Sequence, residues 1–277
     1  MNPITFSTLA CPGWSIDTII KKAAAFGYSG IEWRGGSEGH VQPAMHSYEK
    51  RALQKMSGDA GLKTLAVTAY TSFVSSLAEE RQSNVDELRR YADLAAELGA
   101  GYVRAFLGEL PAETNLTPSI YQNILDSLNT ASEYASSVGV RIAVEPHDNF
   151  TRSTVVSPIL DRSHPNLGVI WDLGNTFAAG EDPDEGFALL RDRLAYVHVK
   201  DGIRQGVSWQ LCALGQGNVP LAQAFRLLLE SGYEGAFNVE WEYAWHPELD
   251  PPEKALPEAL QVVRSLLAEI RASQATK

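Results

Sequence analysis

The stretch 192-DRLAYVHVKDG-202 runs Leu194-Ala195-Tyr196-Val197 straight into His198, Lys200 and Asp201. Such an apolar run reads as a buried strand, and the ionisable cluster at its end reads either as a solvated turn or as a site. Seven other runs share the form: 4-ITFSTLA-10, 30-GIEWRG-35, 63-KTLAVTAY-70, 102-YVRAFLG-108, 141-RIAVEPH-147, 168-GVIWDLGN-175 and 236-AFNVEWE-242. Their first halves are apolar on both faces, as in a sheet covered by helices. Helical periodicity fills the gaps. The segment 84-NVDELRRYADLAAELGA-100 opens at Asn84 with an acidic first turn and stops at Gly99, and 119-SIYQNILDSLNTASEYASSVGV-140 reaches Gly139 before the next strand.

Strands alternating with helices predict right-handed βαβ units and a parallel sheet. Eight units within 277 residues suit a single (β/α)8 barrel, a TIM barrel, spanning 1–277. A doubly wound dinucleotide fold is the weaker alternative, because no Gly-rich phosphate fingerprint follows the first strand. No linker, low-complexity segment or repeat divides the chain.

Composition narrows the function class. A net charge of −11 argues against a nucleic-acid surface, which needs a basic patch. Cys11 and Cys212 make no disulfide framework and fit a reducing compartment. The N-terminal 17 residues lack the basic and apolar regions of a secretory signal, and no apolar run reaches membrane-spanning length. The expectation is a cytoplasmic protein with neither nucleic-acid nor membrane partners.

Barrel chemistry sits where the C-terminal ends of the strands converge. Strands five to eight deliver Glu145, Asp172, His198 and Glu240 to that mouth, each after an apolar run. One strand-end carboxylate is commonly a helix cap or an ion-pair partner. Three carboxylates crowded beside one imidazole are unfavourable without a cation, and that donor set suits Mn²⁺, Co²⁺ or Mg²⁺ better than a thiolate-seeking ion, with Zn²⁺ a lesser candidate. The expectation is one divalent ion per chain.

The pattern Glu145-Pro-His147, Trp171-Asp172-Leu-Gly-Asn175, His198-Val-Lys200-Asp201 and Val239-Glu240 resembles the sugar phosphate isomerase/epimerase superfamily. These are xylose isomerase-like barrels that include ketose 3-epimerases, hydroxypyruvate isomerases and inosose dehydratases. The resemblance covers essentially the whole chain, including 30-GIEWRGGSEGH-40. It implies one divalent metal held by Glu145, Asp172, His198 and Glu240, with Glu145 and Glu240 doubling as the acid/base pair. It also implies a small sugar substrate and a homodimer or homotetramer. The family's arginine six residues after the ligand histidine matches Arg204. Its histidine three residues after the aspartate is replaced by Asn175.

Such a site chelates a carbonyl and the adjacent hydroxyl of a sugar-like substrate, acidifying the C–H between them; one glutamate removes that proton and an enediolate results. Returning the proton to the other face epimerises, returning it to the neighbouring carbon isomerises, and expelling a β-hydroxyl dehydrates. A lyase on a keto-inositol or other keto-sugar therefore stays open. An endonuclease IV-like hydrolase requires further ligands about where Asn175, Trp209 and Leu211 stand. A non-catalytic sugar-binding subunit is disfavoured by the intact ligand set.

Around this core the substrate-binding candidates are His147, Asn175, Lys200, Arg204, Arg34 and Trp14. Lys200 either supplies charge near the enediolate or pairs with Asp201. Glu32 and Arg34 share one strand face, where Arg34 either grips an anionic substrate group or braces the barrel through Glu32. Trp33, Tyr70, Phe106, Trp209 and Trp245 are further mouth aromatics, and His246 is a candidate cover. The segment 203–220 is expected to be a substrate lid or partner contact, and its Gly215-x-Gly217 is weak evidence for a phosphate cradle. No basic cluster marks a phosphate pocket, which favours a free sugar.

Overall fold

The computed structural model describes residues 2–112 and 114–275; Met1, Glu113, Thr276 and Lys277 of the expected 1–277 barrel lie outside the described residues. The apolar runs form β1 (Ile4–Ser7), β2 (Gly30–Arg34), β3 (Lys63–Thr68), β4 (Tyr102–Ala105), β5 (Arg141–Val144), β6 (Leu167–Asp172) and β7 (Leu194–Val199). A hairpin of β8 (Asp201–Gln205) and β9 (Ser208–Cys212) precedes β10 (Phe237–Val239). Strands β1 to β7 and β10 pair in parallel and in chain order, and β10 closes the barrel on β1 with Ile4 opposite Phe237.

Side chains alternate along each strand, so every strand serves two cores. Trp33, Trp171, Val197 and Val199 join the large outer core beneath the helices. Ala66, Ala143, Ile170 and Tyr196 form a separate small apolar plug. Beside that plug the lumen turns polar: Glu32 of β2 hydrogen-bonds His198 of β7, although these strands are not neighbours, so the contact crosses the barrel. Each strand stops a few residues before its run ends. The tails 145–147 and 240–242 are the mouth.

The helices differ from expectation at two starts. The helix Ala78–Leu98 begins six residues before Asn84, because 78–83 are good helix formers and Glu79 and Glu80 suit the first turn. Asn84 instead sits within the helix, where its side chain accepts from the Ser72 amide at 2.9 Å and donates to the Glu80 carbonyl. Gly99 ends the helix at φ 70°, which glycine adopts at least cost. The helix Pro118–Ser137 starts one residue before Ser119, with Thr117 accepting from the Ile120 amide.

The segment 203–220 is not an open loop. Its first half lies in the β8–β9 hairpin, and its second half is tied down by Asp201. That carboxylate accepts from the amides of Gly202, Gly215, Gly217 and Val219 at 2.8, 2.9, 3.0 and 3.3 Å. The Gly-x-Gly amides are thus already used, and Asp201 is not the partner of Lys200. Among the described residues no helix is long and apolar enough to cross a membrane.

Candidate active site

Glu145 follows β5, Asp172 ends β6, His198 lies in β7 and Glu240 follows β10. One ligand atom from each lies within 4.8 Å of all the others, and all four residues are buried. His198 Nδ1 stands 3.2 Å from a Glu145 oxygen, 3.4 Å from Glu240 and 3.7 Å from Asp172. Donors around one small divalent ion at ~2.1 Å sit about 3–3.4 Å apart. The His198 distances are close to that spacing, while separations among the four, of up to 4.8 Å, would have to contract around an ion.

Five carboxylates, Glu32, Glu145, Asp172, Glu240 and Glu242, gather around two permanent cations. Arg104 donates to Glu145 at 3.0 Å. Lys200 Nζ lies 2.9 Å from Asp172, 2.7 Å from Glu240 and 2.6 Å from Glu242. Burial by itself would raise the Glu240 pKa, yet Lys200 and His198 outweigh it and hold the carboxyl well below its ordinary range. Burial would lower the His198 pKa, but the facing Glu240, Glu32 and Glu145 carboxylates raise it well above. Surplus negative charge and an oxygen-rich donor set with one imidazole both fit a divalent cation.

Over this cluster opens a cavity of about 330 Å³. Tyr70, Phe106 and Trp245 form its aromatic walls, and Arg104, His147, Lys200, Glu242 and His246 its polar ones. A second cavity of about 340 Å³ shares His147, Glu242 and His246 with the first and continues past Asn175, Trp209 and Leu211. The Asn175 amide hydrogen bonds to Asp172 Oδ1 at 2.8 Å, whereas its side-chain Nδ2 is buried without a partner. No further metal-ligand type stands at the three positions where an endonuclease IV-like site needs one.

Three expected substrate contacts are placed elsewhere. Trp14 lines neither cavity; Lys22 covers its ring at 4.8 Å. Arg204, on β8, lines neither cavity either; its guanidinium lies 6.0 Å from the Phe177 ring. Arg34 stands behind the wall, stacked on Trp245 at 4.5 Å and donating to the Tyr70 hydroxyl at 3.4 Å. Its ion pair is with Glu38, so no Glu32–Arg34 brace forms. His40 packs beside Trp33.

Arg104 and Glu242 escaped the reading of the sequence. Both left a signal: an arginine inside the apolar run of β4, and a carboxylate two residues beyond Glu240 on the same strand face. Arg104 is held under Phe106, its guanidinium 4.0 Å from the ring centre, which fixes the donor aimed at Glu145.

Comparison with known proteins agrees with this architecture. The chain is 26% identical over 268 residues to fructoselysine 3-epimerase of Escherichia coli O157:H7, spanning 92% of this chain and 94% of that one. It is 24% identical over 218 residues to inosose dehydratase of Geobacillus kaustophilus, spanning 66% and 70%. A D-tagatose 3-epimerase-like protein superposes with a TM-score of 0.82 at 20% identity, covering 98% of this chain and 99% of that one. The IOLI protein with a binding zinc atom superposes with a TM-score of 0.79 at 19% identity, covering 97% and 99%. Residues 20–266 match the family model described as xylose isomerase-like TIM barrel. The chain belongs to the xylose isomerase-like TIM barrel family.

Proposed function

We propose that this chain is a divalent-metal-dependent epimerase or isomerase of a sugar or sugar-like carbonyl compound. The observation that carries the reading is the buried Glu145–Asp172–His198–Glu240 group beneath a cavity at the C-terminal mouth. Those four residues would hold one Mn²⁺, Co²⁺ or Mg²⁺ ion; Zn²⁺ ranks lower on donor type but stays in the trial because of the zinc-bearing relative. When bound, such an ion acts as a Lewis acid toward a carbonyl and its neighbouring hydroxyl.

The protein groups do the proton work. Glu145 and Glu240 are the acid/base pair, one removing the proton next to the substrate carbonyl and the other returning it. Lys200 keeps Glu240 ionised and ready to accept. Arg104 aims the Glu145 carboxylate. Tyr70, Phe106 and Trp245 bound the reactive space. His147 lines the same cavity and Asn175 the side cavity, as substrate hydrogen-bonding groups. Arg104 and Lys200 are both committed to carboxylates, which leaves them no charge for a phosphate and favours an unphosphorylated substrate. The cytoplasm, with Cys11 and Cys212 as free thiols, is the setting this reading assigns.

A lyase on a keto-inositol or related keto-sugar is the second reading. It is favoured by the inosose dehydratase relative and by His246, a proton donor in the same cavity. One experiment separates the two. Protein loaded with each ion is assayed for metal content and incubated in D₂O with a panel of ketoses and keto-inositols. One ion per chain, with a single deuterium in an isomeric product, is expected; a product lighter than the substrate by one water selects the lyase. Two or three Zn²⁺ per chain would move the assignment to a hydrolase.

The pH dependence of metal binding has a definite sign. Because the facing carboxylates raise His198 well above its ordinary pKa, the imidazole carries a proton at neutral pH that a cation must displace. Mn²⁺ affinity should therefore rise with pH, by about tenfold per unit where one proton is released. Calorimetry at pH 6, 7 and 8 in buffers of different ionisation enthalpy measures both affinity and proton release. An affinity flat across this range refutes the displacement.

A further inference from the structure

We infer that Glu32 is a positioning residue for His198, accepting its Nε2–H and so turning Nδ1 toward Glu145, Asp172 and Glu240. This rests on the metal reading of that group. The two ring nitrogens face different surroundings: Nδ1 looks at the three strand-end carboxylates, and Nε2 lies 3.1 Å from Glu32 Oε2. The Tyr196 hydroxyl donates to the same Glu32 oxygen at 2.6 Å. Glu32, Tyr196 and His198 are all fully buried, and Glu32 lines neither mouth cavity, so it acts through His198 rather than on a substrate.

A buried carboxylate without a partner is costly, which gives its placement meaning. The hydroxyl of Tyr196 holds the carboxylate, and the carboxylate holds the ring. With one proton fixed on Nε2, Nδ1 presents a lone pair in a set orientation and with raised basicity once a cation displaces its own proton. Glu32 reaches this position because period-two alternation puts it inside β2, facing β7 across the lumen.

The test compares wild type, Glu32→Gln, Glu32→Leu and Tyr196→Phe for Mn²⁺ and Co²⁺ dissociation constants by equilibrium dialysis. Folding is checked by circular dichroism, and the visible Co²⁺ spectrum is recorded. Gln keeps an acceptor and loses the charge, so its affinity should fall roughly tenfold; Leu removes the acceptor and should approach a 100-fold loss. The Co²⁺ bands should shift in Leu and return toward wild type in Gln. Tyr196→Phe should weaken binding by a few fold. A merely structural Glu32 would lower thermal stability without this ordering. Should the Leu variant not fold, a wild-type dissociation constant and spectrum in both Glu32→Gln and Tyr196→Phe overturn the inference while leaving the metal site intact. Absence of metal binding by wild type overturns the site and the inference together.

Discussion

Replacing Glu240 with Gln is expected to lower kcat by on the order of 10⁴-fold while leaving the barrel folded. The substitution keeps size and removes charge. Lys200 retains Asp172 and Glu242 as partners, so no cation is stranded. What disappears is one half of the proposed proton relay and one charged ligand. Positioned proton transfer contributes ~10²–10⁴-fold by itself, and weakened cation binding adds to the loss. Glu145→Gln should behave similarly with a larger stability cost, because Arg104 would lose the carboxylate it now touches. The measurement is single-turnover deuterium wash-in at the substrate C–H under saturating Mn²⁺, with melting temperature as the folding control. A folded, metal-bound Glu240→Gln protein with kcat within tenfold of wild type would remove Glu240 from the chemistry.

The second large effect concerns stability. Lys200 is almost completely buried and meets three carboxylates. Its stem lies so close to Gly174 that a Cβ there would sit 2.5 Å from Lys200 Cγ. Lys200→Met preserves that packing and deletes the charge. Breaking a buried ion pair from one side typically costs ~3–5 kcal/mol, and that is the loss expected for the metal-free protein at neutral pH. The sign with pH follows from Glu240, whose folded pKa Lys200 helps hold well below 4.5. A depressed carboxyl stabilises the fold above its unfolded pKa, and the contribution fades as pH falls through the folded value. The variant lacks that contribution, so its deficit is largest near pH 7 and narrows on acidification. Mn²⁺ should recover part of it, about 2.7 kcal/mol at 100 times the dissociation constant. Urea titrations at pH 7 and in the carboxylate range, with and without Mn²⁺, measure all three. Equal stability of the two proteins at pH 7 would show that the cluster does not need the lysine.

Much of this was legible in one dimension. The eight runs became the eight barrel strands because an interior strand must be apolar on the side that meets the helices, and such runs are short and bounded. Glu145, Asp172, His198 and Glu240 were legible for a related reason: an ionisable residue ending an apolar run stands out, and barrel topology brings strand ends together. The start of the helix Ala78–Leu98 was misplaced because Asn84 carries a capping side chain, and residue type alone does not say whether an asparagine caps or lies within a helix. The segment 203–220 looked like a loop because the β8–β9 hairpin has mixed polarity and few buried residues, so no alternation marks it.

Sequence by itself determined the barrel and the identity of the four cation-binding candidates, since both depend on local polarity and on the order of elements. Tertiary structure alone decided the partners: that Arg104 meets Glu145, that Lys200 bridges Asp172, Glu240 and Glu242 instead of Asp201, that Glu32 reaches His198 instead of Arg34, and that Trp14 and Arg204 line neither mouth cavity. The physical reason is that a charged side chain's partner is set by distance across the lumen, between strands as remote in sequence as β2 and β7. Period-two alternation says which way a residue points, whereas closure of the barrel says what it meets there.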